Sequence, residues 1–170
     1  GDSTPRAYYS YDNHGNLSQL IILFGERRGG NHYYALDVTN PSAPRYLWQI
    51  NPDATNSPYA EIGTTDPMTG RRGQTWSSPN IGKIACQAGG LHCVGGERWV
   101  AFIGGGYDDN QDNATPGPDT MGRAVYVVDL VNGSLVRRFS YSDPGCSASG
   151  RSAAGPFPRS GRSAGPGSSG

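Results

Sequence analysis

Two segments, "GGNHYYALDVTN" (29–40) and "RAVYVVDLVN" (123–132) with the Met121-Gly122 pair before it, constrain this chain more than any total. Gly30, Tyr34 and Asp37 of the first recur as Gly122, Tyr126 and Asp129 in the second, each 92 positions later. A β-branched and aromatic run that ends on Asp and a turn is a strand signature. Its repetition in constant register means one supersecondary unit is used twice. The flanking blocks follow the same order. In the first half these are "PRAYYSYD" (5–12), "LSQLIILFG" (17–25), "NHYYALDVT" (31–39) and "PRYLWQI" (44–50), separated by "NHGN", "ERRGG" and "NPSA". In the second they are "TWSSPNIGKIA" (75–85), "ERWVAFIGGG" (97–106), "RAVYVVDL" (123–130) and "SLVRRFSY" (134–141). Asn132-Gly133 reads as a two-residue hairpin turn, because both residues tolerate positive φ.

Blocks such as "LIILF" and "VAFI" are apolar at successive positions, as expected of strands covered on both faces. Two four-stranded antiparallel meanders that each need neighbours describe an all-β, partial β-propeller. The expected organisation is a partial propeller over 1–146, with one blade at 5–50, a loop at 51–74 and a second blade at 75–141. An immunoglobulin-like sandwich is the structural rival, but it does not account for the matched Tyr–Asp strand. Propellers take about four to eight blades, so the remaining blades are expected in a longer parent. Isolated, the pair should self-associate or dissolve poorly, its faces and edges being open. From 147 to 170 the chain is almost only Gly, Ser, Ala, Pro and Arg, and Phe157 is the sole large apolar residue. It cannot offset the entropy of ordering and reads as a disordered tail, or as an artefact of truncation or reading frame.

The chain carries 14 basic and 14 acidic residues, without the basic stripe that nucleic-acid binding requires. No apolar run reaches the roughly 18 residues of a membrane-spanning helix. An opening on Gly1 without a signal-peptide pattern reads as a processed or excised piece. Cys86 and Cys93 frame "QAGGLH", a spacing unlike a two-residue redox motif or a zinc cage. A hairpin-closing disulfide is the preferred reading, against two reduced, semi-buried thiols; Cys146 is left over. A disulfide favours an oxidising, extracytoplasmic compartment.

The segment "GGGYDDNQDN" (104–113) crowds Asp108, Asp109, Asn110 and Asp112 behind a glycine-rich strand end. Asp108, Asn110 and Asp112 fall at positions 1, 3 and 5 of a twelve-residue calcium loop, Ala114 at the carbonyl position 7 and Asp119 at position 12. The loop holds hard oxygen donors and neither His nor Cys, which disfavours softer metals. Asn113 replaces the usual glycine, and Asp119 is shorter than the usual Glu. Affinity is therefore expected in the weak range of about 10⁻⁴–10⁻³ M. A solvated acidic loop without metal is the alternative. Catalysis finds little support, since His14, His32 and His92 have no carboxylate or serine partner nearby in sequence. "FGERRGG" and "GGG" lack the following helix of a phosphate loop, so close backbone packing is the expected role. Trp48, Trp76 and Trp99 read as inter-blade packing.

Four segments, "FGERRGGNHYYALDVTNPSAPRYLWQI", "GQTWSSPNIGKI", "FIGGGYDDNQDN" and "RAVYVVDLVNG", together resemble the C-terminal β-propeller of PilC/PilY-type proteins. The resemblance spans about residues 17–141, in the family's order. It implies an exported type IV pilus biogenesis and tip-adhesin factor that associates with the pilus machinery or minor pilins. Its place would be the pilus tip, the outer membrane surface or the periplasm. In such proteins calcium switches between supporting pilus extension and permitting retraction, with effects on adhesion and twitching motility. By motif position the ligands would be Asp108, Asn110, Asp112, Asp119 and the Ala114 carbonyl. The family's N-terminal adhesive domain is not represented. "YALDVTN" and "VYVVDLVNGS" also resemble blades of pyrroloquinoline-quinone dehydrogenases, the enzymatic alternative, although the vicinal cysteines common there are missing. A scaffold propeller unrelated to pili is the third reading.

Overall fold

The structure of the protein, a computed structural model, describes residues 4–63, 74–140 and 143. The expected tail, Cys146 and residues 64–73 of the long loop lie outside the described residues. Eight strands form: β1 (Arg6–Tyr11), β2 (Leu17–Gly25), β3 (Tyr33–Asp37), β4 (Arg45–Ile50), β5 (Asn80–Ala85), β6 (Glu97–Gly104), β7 (Ala124–Asp129) and β8 (Leu135–Ser140). They make two sheets in the orders β1-β2-β3-β4 and β5-β6-β7-β8, every neighbouring pair antiparallel. Among the described residues no strand crosses from one sheet to the other, which argues against the immunoglobulin-like alternative, whose Greek-key connections exchange strands between sheets.

The repeat extends to register. Tyr34 faces Phe24 as Tyr126 faces Ile103, and the third-to-fourth strand ladder slips at Ala35/Leu36 and again at Val127/Val128. Turn chemistry sets the connections. The Asp12 carboxylate accepts from the His14 and Asn16 amides, and Gly15 takes φ +79°, so the first hairpin closes on an Asx turn. The Asn132-Gly133 hairpin is longer than expected. Only Gly133 has positive φ there, at +72°. The turn is held by Asp129, whose Oδ1 accepts from the Val131 and Asn132 amides at 2.9 and 3.3 Å. Strand β7 stops at Asp129 because that side chain takes over the amides a ladder would have used.

The core lies between the sheets. Ile21, Leu23, Tyr33, Ala35 and Trp48 of the first pack on Ala101, Ile103, Tyr126 and Val128 of the second. Alternation decides the membership, since residues two apart share a face. Polar ends are satisfied across the interface: the Tyr33 hydroxyl donates to Ser77 O at 2.9 Å, and Trp48 Nε1 donates to Leu130 O at 3.0 Å. Tyr8 and Trp99 meet at a ring distance of 4.7 Å between β1 and β6. Trp48 and Trp99 thus pack between blades as expected. Trp76 instead stands on a connection, against Tyr107 and under the Arg27 and Arg28 guanidinium groups. Cys86 and Cys93 are disulfide-bonded, with their Cα atoms 5.9 Å apart.

Candidate functional site: the acidic loop after the sixth strand

The loop between β6 and β7 leaves and re-enters the sheet through a narrow neck. Gly105 sits so close to Gly122 that an added Cβ would lie 2.6 Å from its carbonyl. Gly106, at φ +97°, passes against the Gln74 carbonyl, where no side chain fits. Tyr107 then exchanges main-chain hydrogen bonds with Gln74, at 2.9 and 3.1 Å. The glycines of "GGG" therefore serve close backbone approach, as do Gly25 and Gly30 of "FGERRGG", which abut Thr75 and Glu26.

Inside the neck Asp108 is buried, with 4% of its surface exposed. It caps a 3₁₀ turn, Asp109–Asp112, through an Oδ1 that accepts from Asn110 N at 3.0 Å. Its Oδ2 accepts from Thr120 N at 2.6 Å, Thr120 Oγ1 at 2.8 Å and Met121 N at 3.3 Å. One carboxylate thus ties the start of the loop to its end. Burial by itself raises its pKa, but the donors from Asn110, Thr120 and Met121 outweigh burial and hold it below the usual carboxylate value.

A second convergence lies further out. Gln111 Nε2 stands 2.6 Å from Asn110 Oδ1, 2.9 Å from Gly117 O and 2.6 Å from Asp119 Oδ1. An amide nitrogen carries two protons, so three oxygens crowd a point that donates only two good hydrogen bonds. Asn110 Nδ2 meanwhile donates to Pro118 O at 2.9 Å. Asp112 turns outward and accepts from the Tyr107 hydroxyl at 2.9 Å, a bond that raises the Tyr107 pKa. Ala114 is exposed at the loop tip.

Of the expected ligands, Asn110 and Asp119 are brought together, Asp108 lies beneath them as a fastener, and Asp112 and Ala114 stand apart from that point. Among the described residues no three His, Cys, Asp or Glu side chains converge on one position. The convergence here is made by one carboxylate, one amide oxygen and one main-chain carbonyl, all hard donors that suit Ca²⁺. Counting along the sequence did not single out Gly117 or Gln111. The loop's own folding back places them, and nothing in the local spacing announces it.

Two of the histidines meet carboxylates and play structural parts. His92 Nδ1 lies 2.9 Å from Asp129 Oδ1, and His32 Nδ1 lies 3.6 Å from Glu26 Oε2 while its ring stacks on Tyr34. The carboxylate partner of His92 is 37 positions away, invisible to local reading. The first pair ties the disulfide hairpin to the end of β7 and the second closes the turn before β3, so both act as fasteners of a hairpin and a turn.

Two stacked four-stranded meanders, with an asparagine- and aspartate-rich loop clamped at a strand exit, define a partial β-propeller. No protein-family profile matches the chain. It is similar to a protein of Xylella fastidiosa described as a type IV pilus biogenesis factor PilY1 homolog, 29% identical over 127 residues that make up 72% of this chain. Among solved structures it is similar to the Pseudomonas aeruginosa PilY1 C-terminal domain, with TM-score 0.47, 22% identity and 82% of this chain covered. The chain spans 6% of the length of the Xylella relative and 21% of the solved chain. Its resemblance is to a fragment of a PilY1-type protein, as the four sequence segments led us to expect.

Proposed function

We propose that this chain is a calcium-binding piece of a type IV pilus biogenesis factor, working outside the cytoplasm at the pilus tip, the outer membrane surface or the periplasm. The alignment over 127 residues with the Xylella relative carries this reading. The disulfide supports an oxidising location. Among the described residues no helix is long and apolar enough to cross a membrane. Its partners would be the pilus machinery or minor pilins, and further blades of a longer polypeptide would cover its faces.

Calcium would be held by Asn110 and Asp119 with the Gly117 carbonyl; of the other ligands expected from sequence, Asp108 would fasten the loop beneath the ion, and Asp112 and the Ala114 carbonyl stand apart from it. The supporting observation is the three-oxygen point now filled by the Gln111 amide. Because the loop's two ends are clamped at Gly105 and Gly122, binding at the tip would stiffen residues 110–119 while leaving the blade intact. A stiffened loop could favour pilus extension and a loose one retraction, with twitching motility and adhesion following. The quinone-dehydrogenase alternative gains nothing from this loop, and Cys86 and Cys93 are seven positions apart, not vicinal.

Calorimetry with Ca²⁺ tests the site. The native chain should titrate, whereas Asp119→Ala should weaken or abolish the heat; equal titrations would sink the assignment. For the pilus role, the loop substitutions belong in the full-length parent of a piliated bacterium. Unchanged twitching zones and surface piliation there would overturn it.

A further inference from the structure

The turn between β2 and β3 meets the connection into β5 at the strand ends, on the seam between the two blades. Thr75, fully buried, pins them together. Its Oγ1 accepts from the Glu26 amide at 2.6 Å and from the Arg27 amide at 2.8 Å. Arg27 and Thr75 also form an isolated antiparallel bridge, which holds Arg27 at φ +52° in the left-handed region. So fixed, the turn sets two consecutive guanidinium groups over one indole. Arg27 Cζ lies 5.2 Å and Arg28 Cζ 5.4 Å from the centre of the Trp76 ring. That indole is 36% exposed, donates from Nε1 to Gln74 Oε1 at 2.7 Å, and has the Tyr107 ring 5.6 Å away.

Charge at this point is not balanced. Among the described residues neither arginine forms an ion pair. Glu26, the neighbouring acid, folds back over Gly30 instead. There its Oε2 accepts from the His32 amide at 3.1 Å, and its Oε1 accepts from the Tyr34 hydroxyl at 3.4 Å. Asp112 is taken by the Tyr107 hydroxyl. Arg27 Nε is sealed from water and has no acceptor. Buried donors are nearly always paired, and cation–π attraction offsets only part of what two adjacent like charges cost. An anion is the missing element.

We propose that Arg27, Arg28, Trp76 and Tyr107 form a docking site for an acidic peptide segment of a partner protein. A guanidinium held over an indole keeps N–H donors at its edge, and these fork a carboxylate bidentately. The exposed part of the indole and the Tyr107 ring pack the apolar stem of the glutamate side chain and the adjoining chain. Charge favours a carboxylate over a phosphate. Tyr107 leads on to Asp112 and the rest of the acidic loop, whose repulsion is about twice as large for a dianion as for a monoanion. The walls of this site come from the turns of both blades, away from the outer sheet faces that further blades would cover.

Fluorescence anisotropy of a fluorescein-labelled hexaglutamate peptide, titrated with the full chain in EDTA, tests this without calcium and apart from the pilus reading. The chain's formal net charge is zero, so attraction has to be local. The native chain should bind, and Arg28→Gln, at an exposed residue, should weaken binding about tenfold. Arg28→Lys keeps the charge but not the fork and should recover only part of that loss. Arg6→Gln removes the same charge from an exposed position on β1 and should leave the affinity unchanged. In proton–nitrogen spectra the Trp76 indole N–H should shift on peptide addition, while that of buried Trp48 stays. Glutarate should displace the peptide at a lower concentration than inorganic phosphate. A native chain that does not bind overturns the proposal, as does a still Trp76 resonance. An Arg6→Gln loss equal to that of Arg28→Gln also overturns it, because the attraction would then be diffuse. Displacement by phosphate ahead of glutarate overturns the carboxylate assignment.

Discussion

Asp108→Ala separates a structural role for that carboxylate from a metal-binding one. The side chain accepts four hydrogen bonds, at 2.6 to 3.3 Å, from Asn110, Thr120 and Met121. Bonds to charged acceptors contribute about 1.5–3 kcal/mol each when buried, and neutral ones about 1. Thr120 borders solvent, so its hydroxyl rehydrates at little cost. Three main-chain amides lose a charged acceptor, but at the loop's solvent-bordered end water takes over part of that role, so at about 1 kcal/mol each the substitution should cost about 3 kcal/mol. For a chain of this size that corresponds to a fall of about 6–12 °C in melting temperature. Asp108→Asn retains one acceptor oxygen and should cost about half as much. The assay is urea unfolding followed by tryptophan fluorescence in EDTA, with amide exchange read at Thr120 and Met121. Both amides should lose protection in the Ala variant. A loss below about 0.5 kcal/mol in EDTA, growing only when Ca²⁺ is added, would refute the reasoning and make Asp108 chiefly a ligand. The pH sign follows from the depressed pKa. The Asp108 contribution is complete above the unfolded carboxylate value and disappears as pH falls through the lower folded one.

Reducing or replacing the Cys86–Cys93 bond (Cys86→Ser) should cost about 2.5 kcal/mol for so short a loop, measured by urea midpoint with unchanged far-ultraviolet dichroism; no shift would mean the hairpin is held without it. Gly133→Ala forces a methyl to within 2.6–2.9 Å of the Trp48 ring at φ +72°, so a loss of about 2–4 kcal/mol is expected from left-handed strain and overpacking together. A stability unchanged in thermal melts would show that the hairpin and indole can shift. Asp37, held at a pKa of about 2 by the Thr39 hydroxyl and amide and by Arg45, should stabilise the first blade above about pH 4 and progressively less toward pH 2. Asp37→Asn should flatten that acid limb, and an identical pH–melting profile would count against the assignment.

Much of this was legible in the chain because the forces involved act over a few residues. Alternating Ile21 and Leu23, Asp37 at a strand end, the Gly15 turn and the closely spaced Cys86 and Cys93 all announce themselves within a dozen positions. Repetition at 92 positions then declared two like units, and the registers agree. The acidic loop was visible as a cluster, but its division of labour was not. Which carboxylate fastens the neck and which oxygens gather at the tip depend on how residues 108 and 120 meet, and spacing does not encode that.

The sequence by itself determined strand blocks, where the chain turns and the repeat, and it favoured the disulfide, since each follows from local stereochemistry and pattern. Only the tertiary structure decided that His92 finds Asp129, that Trp48 finds the Leu130 carbonyl 82 positions away, and which face of each sheet turns toward the other. Those outcomes rest on stacking one sheet upon another, where a pair's contact depends on the placement of both whole sheets and leaves no mark in either segment alone.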